Sequence, residues 1–347
     1  MRPDISKLKV GGLKILEEGA GVASSFPGGA RHLMNGICSP LARSRINLTF
    51  LSHVAGAFGS EDYTVFCTAL AAGMDGFTQV KAYAGASGHV SLHAPTCIIS
   101  LYPHDKRSDI KGGFIRALGR ARVMVLSLAS SPSAISAVLS SRNKDRAVER
   151  LFTIFQFPGY ATPAEFYAMQ RPPEALVREV VAAYQEKVIK IYHLIQLADL
   201  DLWSFSIPSA ALLESLGAAL MALGARDVKI PFLVALPGPE DRFVCSFCTA
   251  AARTGEVVSL LEEHIPVIPP ERLSPVAALF FHGPHFGDRY GIADTLVQAL
   301  EGVNVSLVAL SCTVSSISLV IRQDDLPAAV RILTETFEDQ SQAAAQS

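Results

Sequence analysis

Apolar and polar positions alternate with period two in some stretches of the chain and recur at helical spacing in others. Toward the C-terminus, PVAALFFHG (275–283) alternates like a half-buried strand, and GIADTLVQALEG (291–302) carries apolar residues on one helical face. VNVSLVALS (303–311) and SSISLVIRQ (315–323) are β-branched runs that predict two further strands. A second amphipathic helix is predicted over Leu326 to Phe337, opened by Asp325-Leu326-Pro327, which suits an N-cap and first turn. The order strand–helix–strand–strand–helix is that of the split βαβ, ferredoxin-like unit. The same order reads from Gly21 through Ala84, from Thr96 through Phe155 and from Ile191 through His264.

The pattern also repeats on a longer scale. With Ile110 placed over Ile292, an offset of 292 − 110 = 182, Val123 falls on Val305, Ile135 on Ile317, Val138 on Val320, Leu151 on Leu333 and Phe155 on Phe337. A slightly smaller offset aligns SSFPGGARHLM (24–34) with FSIPSAALLES (205–215). The chain therefore reads as two homologous halves of two units each. The expected divisions are 1–92, 93–157, a linker at 158–186, 187–272 and 273–338. The linker is marked by Pro158, Pro163, Pro172 and Pro173 and by a predicted helix, EALVREVVAAYQEK (174–187). Units of this size have thin cores on their own, so edge-to-edge sheet pairing between them is expected.

Composition sharpens that expectation. Of 347 residues, 50% are hydrophobic and only 18% charged, with a net charge of −2. Such a chain is not disordered, and it has no global field for nucleic acid or an anionic membrane. The longest apolar helix candidate, SAALLESLGAALMALGA (209–225), is shorter than a membrane span and contains Glu214. The N-terminus lacks the apolar core of a signal peptide. Six cysteines lie scattered within apolar runs, as reduced buried thiols do. A soluble, cytoplasmic protein is expected, its apolar surplus covered by contacts between units.

Candidate chemistry is sparse. Gly19-Ala20-Gly21-Val22-Ala23-Ser24 approaches a dinucleotide fingerprint, but the following residues read as strand and include Pro27. Cys245 and Cys248 fall three apart on a predicted strand, so their side chains point to opposite faces and cannot share a metal. His282 and His285 flank a loop without a third ligand, and His89 and His93 have no carboxylate nearby. No Ser or Cys–His nucleophile motif and no paired carboxylates stand out. No metal and no cofactor are expected.

The last unit resembles the second ACT module of an aspartokinase regulatory region. The resemblance rests on the Gly-Ile-Ala opening of its first helix, Asn304-Val305 entering the second strand, SISLVI as the third, and the DDL..A...L...F spacing of its second helix. KVGGLKILEEGAGVASSFPGGARHLM (9–34) similarly resembles the opening of the first module of that family. The expected fold class is α+β, four ferredoxin-like (βαββαβ) ACT modules in two homologous halves. KVGGLKI resembles the family's kinase phosphate loop but lacks its Phe and Thr, and no catalytic domain is read ahead of the first module. The chain is therefore expected to be no enzyme, but an aspartokinase-like regulatory region alone.

ACT modules, the resemblance implies, bind amino acids between two modules. A helix N-terminus there suits the ligand carboxylate and the neighbour's second strand faces it. Carried over position by position, the expected ligand-binding residues are Ser25, Gly28, Ala30, Asn47 and His53 of the first module. From the fourth come Gly287, Asp288, Gly291, Asn304 and Val305. Ser25 replaces the family's usual Asp, and His53 its usual Gln. The third module is the most divergent: SIPSAAL has no Gly or Asp in its loop, and Lys229 stands in place of Asn47. Module 1 is expected to pair with module 4 and module 2 with module 3, only the first pair keeping a ligand groove. The expected function is allosteric, non-catalytic amino-acid binding, with a homo-oligomer or a regulated enzyme as partner. The alternatives are a ligand-free assembly module, the regulatory subunit of an aspartokinase, or an enzyme built around His282, His285 and Asp288.

Overall fold

The computed structural model describes residues 7–27, 32–56, 61–104, 106–170, 190–191, 193–265, 270–282, 289–313 and 316–339. The predicted linker helix at 174–187 lies outside the described residues. In the first half, β1 (Leu8–Lys9) and β2 (Gly12–Pro27) lead to a π-helical turn (His32–Cys38) that runs into α1 (Ser39–Arg43). Then follow β3 (Phe50–Gly56), β4 (Glu61–Ala69), α2 (Gly73–Ala84) and β5 (His89–Tyr102). The chain continues through α3 (Ser108–Arg120), β6 (Val125–Ser130), β7 (Ile135–Ser140), α4 (Lys144–Ile154), β8 (Phe155–Gln156) and α5 (Pro163–Met169).

The second half repeats the plan. It comprises β9 (Lys190–Ile191), β10 (His193–Pro208), α6 (Leu212–Ala225), β11 (Leu233–Pro237), β12 (Arg242–Ala250) and α7 (Thr254–His264). It ends with β13 (Glu271–His282), α8 (Ile292–Gly302), β14 (Leu307–Thr313), β15 (Ser316–Arg322), α9 (Leu326–Thr336) and β16 (Glu338–Asp339). Mixed α/β structure thus arises where the two hydrophobic periods predict it. The helix over 209–225 forms as the buried α6, and no helix among the described residues is long and apolar enough to cross a membrane.

Twelve of these strands close into one ring, in the order β10-β12-β11-β6-β7-β5-β2-β4-β3-β14-β15-β13. Four of them are long and bent. Along β2, residues 19–27 pair with β4, while the whole strand pairs with β5 from Gly12–Tyr102 to Ser25–His89. The far end of β5, Thr96 to Leu101, pairs with β7. Irregular register breaks β2 near Glu18 and β10 near Asp199, and both residues have positive φ (57° and 54°), as a bulge that redirects a strand requires. Residues 92/93 and 272/273, the expected module boundaries, fall inside the continuous strands β5 and β13.

Two antiparallel ladders join the halves. Between β3 and β14, Ser52 faces Ser311; between β6 and β11, Ala129 faces Val234. Since 311 − 129 = 182 and 234 − 52 = 182, one ladder is the image of the other under the sequence repeat. These are the pairings expected between the first and fourth units and between the second and third. The apolar surplus is spent in three places. Helices α3, α4, α6 and α7 cover one outer face of the ring, around Phe114, Leu216 and Leu220. Helices α1, α8 and α9 cover the other, around Leu296, Leu310 and Leu333, with α2 contributing Val80. Phe50, Tyr63, Val138, Phe232 and Phe280 fill the interior.

Each unit's first helix ends in the same way. Arg45, Arg122, Asp227 and Asn304 all have φ between 51° and 58°. Each donates its N–H three residues back, and the next residue donates five back: Ile46 to Leu41, Val123 to Leu118, Val228 to Leu223 and Val305 to Leu300. This is the Schellman termination, with the usual buried apolar contact across it.

Candidate ligand-binding junctions

At the second pairing the helices α3 and α6 lie in backbone contact. A Cβ on Gly112 would stand 2.7 Å from the Met221 nitrogen. Below them, the chain entering α3 is tied to the residues entering β11. Ser108 Oγ donates to the Val228 carbonyl (2.5 Å), and the Ile230 N–H donates to the Lys106 carbonyl (3.2 Å). Lys111, completely buried, donates Nζ to the Ile230 carbonyl. Burial holds its pKa well below the ordinary lysine range, and the neighbouring charge of Lys106 lowers it further. His104 is also fully buried, 3.4 Å from Ser130 Oγ through Nε2, and burial, with Lys111 nearby, lowers its pKa well below the ordinary histidine value. Beside this tie lies a polar cavity of about 220 Å³ lined by Arg107, Ser108, Asp109, Gly224, Asp227, Val228 and Lys229. Its charges pair within the wall, Arg107 with Asp109 (2.5 Å) and Lys229 with Asp227 (2.7 Å).

The first pairing has the corresponding cleft, but lined differently. Cys38, Leu41, Ala42, Ile46 and Leu48 of one unit face Arg289, Gly291, Ile292, Ala293 and Asp294 of the other. Ser39 Oγ donates to Asp294 Oδ1 across it (2.6 Å). Gly291 precedes α8 with φ of 87°, and with Ile292, Ala293 and Asp294 of the helix's first turn it lines the cleft. The described residues enclose only about 10 Å³ there.

The expected ligand residues divide accordingly. Asn47 is half-buried, in sequence between the cleft residues Ile46 and Leu48. His53 lies on β3 opposite Leu310 of β14; its Nδ1 is 2.8 Å from Thr64 Oγ1, and burial pushes its pKa down to about 3. Ser25 is half-buried on β2, opposite Tyr63 and His89. Asn304 is exposed in its turn, and Val305 is buried in the core cluster that also holds the cleft residues Leu41, Ile46, Leu48, Ile292 and Ala293. Gly28, Ala30, Gly287 and Asp288 lie outside the described residues, as does His285. Lys111 was not singled out from sequence. The available signal was its position: Lys111, Phe114, Ile115 and Leu118 share one helical face, three of them core residues.

The remaining motifs resolve simply. Gly19, Gly21 and their neighbours lie within β2. Cys245 packs among the outer helices and Cys248 in the ring interior, on opposite faces of β12. All six cysteines are buried free thiols. No cluster of metal-ligating side chains occurs among the described residues.

Residues 282–337 match the ACT domain family. No curated protein matches the chain. Among solved structures, an aspartate kinase from Synechocystis superposes on 94% of this chain with a TM-score of 0.75, at 14% identity. The regulatory subunits of aspartate kinase from Thermus thermophilus and Thermus flavus superpose at a TM-score of 0.38, on 44% of this chain and 100% of theirs, with 17% and 18% identity. The chain spans 56% of the length of the Synechocystis enzyme.

The protein thus contains an ACT domain within an aspartate-kinase-like fold. One expectation is corrected by the same finding. The likeness that runs through nearly the whole chain is to an enzyme, so the description of this protein as no enzyme does not stand. The residues of KVGGLKI are taken up by β1, the turn after it and the start of β2.

Proposed function

We propose that the chain is an amino-acid-responsive regulatory assembly of the aspartate kinase type, built of four ferredoxin-like ACT modules in two homologous halves. A small ligand binds at the junction of the first and fourth modules, between the α8 N-terminus and the strand entry at Ile46–Leu48. The observation that supports this reading is the cleft in which Ile46 and Leu48, on either side of Asn47, face Gly291, next to the β3–β14 ladder that joins the two units. Unsatisfied N–H groups and the partial positive charge of a helix start favour a carboxylate there.

The test is a melting experiment on the full chain with each of the twenty amino acids at millimolar concentration. A ligand present at a hundred times its Kd stabilises by about 2.7 kcal/mol, a shift read directly in Tm. A flat response to all twenty would overturn the sensor and favour an assembly module without ligand. Assaying aspartate-dependent ATP turnover, alone and with candidate partner chains, tests the link to the enzyme.

A further inference from the structure

We infer that the outer edge of β10 at residues 194–198 is a self-association surface on which a second copy of this chain docks, the two edges pairing antiparallel about a two-fold axis. The repeat supplies the comparison, because the equivalent edge in the first half is covered. Glu18 and Asp199 mark the same bulge 181 residues apart, so Leu13, Lys14 and Glu17 of β2 correspond to Leu194, Ile195 and Ala198 of β10. Over the β2 edge runs the segment that follows β8. Tyr160 Oη accepts a hydrogen bond from the Leu13 N–H (2.8 Å), and its ring lies 5.8 Å from that of Phe152. Lys144 at the start of α4 holds Glu17 through both carboxylate oxygens, 2.9 Å each. An open strand edge is a template for further pairing, and a lysine and a covering segment are usual ways of blunting it.

The second half keeps none of these devices among the described residues. Ile195 replaces Lys14 and Ala198 replaces Glu17. With the offset of 182 that relates α4 to α9, Leu326 replaces Lys144, and Thr334 replaces Phe152, the ring beside Tyr160. The position of Tyr160 itself is taken by Gln342, and residues 340–347, outside the described residues, contain no aromatic side chain. Residues 193–197 pair with β13 on one side; among the described residues no strand pairs on the other, where β12 joins only at Leu200. Both faces beside that open edge carry half-buried apolar side chains, Leu194 and Leu326 on the helix side and Ile195 and Leu197 on the interior side. A strand added there would cover both. The charge pattern selects the partner. Residues 194–198 carry no charge, while Lys190 precedes them and Asp199 follows. A copy pairing antiparallel about a two-fold axis sets the Lys190 end of each edge against the Asp199 end of the other, with no like charges opposed between them.

The experiment is sedimentation velocity on the full chain from micromolar to tens of micromolar concentration, without added amino acid. The wild type should sediment as a dimer at the upper end. Ile195→Lys combined with Ala198→Glu, which restores the residues of the first half, should weaken that dimer at least tenfold. The mirror change, Lys14→Ile with Glu17→Ala, should leave it as it is, because Tyr160 still caps the β2 edge. A wild type that is monomeric throughout the range would overturn the inference. So would a dimer that survives the first pair of substitutions, or one that responds to the mirror pair instead. Should Ile195→Lys/Ala198→Glu fail to fold, hydrogen exchange of the wild type decides, read at Leu194 and Gln196. Leu194 corresponds to Leu13, whose N–H faces outward, and Gln196 follows two residues on, on the same side. Protection of these amides that rises with protein concentration is expected. Protection independent of concentration would mean that the edge is covered from within the same chain, for instance by residues 171–189, and would overturn the inference; fast exchange at every concentration would do the same.

Discussion

Gly224, near the end of α6, lies so close to Asp109 at the start of α3 that a Cβ on it would stand 2.4 Å from the Asp109 nitrogen. The residue 182 positions earlier is Ala42, whose Cβ is 4.0 Å from one built on Gly291. The two junctions therefore differ in helix spacing by what a single methyl group permits. Gly224→Ala should force α3 and α6 apart and cost about 1–3 kcal/mol, the usual range for overpacking. Chemical denaturation checks this, with an unchanged slope and a lower midpoint as the expected result.

Filling the other junction should act on ligand rather than on stability. Ala42→Leu projects into the cleft facing Gly291 and Ala293. The expected outcome is at least a tenfold weaker amino-acid response in Tm or calorimetry, while Lys111 and its bond to Ile230 remain untouched. An undiminished response in this variant would place the ligand elsewhere.

Acid should destabilise the fold through two histidines. His53 and His104 are held neutral in the native state, His53 with a pKa of about 3, while an unfolded histidine titrates near 6.5. Below that unfolded value the denatured chain binds more protons, so stability is complete above pH 6.5 or so and falls as pH drops toward the native values. Each histidine contributes a slope of about 1.4 kcal/mol per pH unit within its window. Replacing His53 with Gln should remove one of these slopes between pH 6 and 4 or so, as measured by urea unfolding at several pH values.

The thiols should be silent until the protein unfolds. Burial raises the pKa of Cys38, Cys67, Cys245, Cys248 and Cys312, and pushes Cys97 up to about 12. Thiolate is the reactive form, so an aromatic disulfide reagent at pH 8 or so should titrate almost none of the six cysteines in the native protein and all of them in guanidinium. Rapid reaction of one thiol in the native state would show a local opening on that face of the ring.

The repeat was legible in the sequence because it rests on many residues at once. An offset of 182 recurs in strands, helices and apolar contacts, and any single deviation leaves it visible. The bends at Glu18 and Asp199 were not legible, since a bulge is set by backbone angles at one residue while the alternation on either side continues. The same holds for Lys111. A lysine beside polar neighbours at a helix start reads as solvated, and only its place in line with Phe114, Ile115 and Leu118 speaks against that. Of the expected ligand residues, Gly291 lines the cleft and Asn47 lies in sequence between two residues that do, whereas Asn304 and Val305 belong to a helix terminus whose geometry recurs in all four units.

The ladders Ser52–Ser311 and Ala129–Val234 relate the halves as two copies in a symmetric dimer are related, each half offering the other the same pair of edges. A chain cut to one half would carry two bare strand edges, β3 and β6 or β11 and β14, each a template for further pairing. Two such halves would close the circle by finding one another, and the covalent link in the present chain replaces that encounter with a fixed partner. Duplication within one polypeptide also frees the two junctions to diverge: a symmetric dimer must place the same residue at both, whereas here one carries Lys111 and the other Ala293.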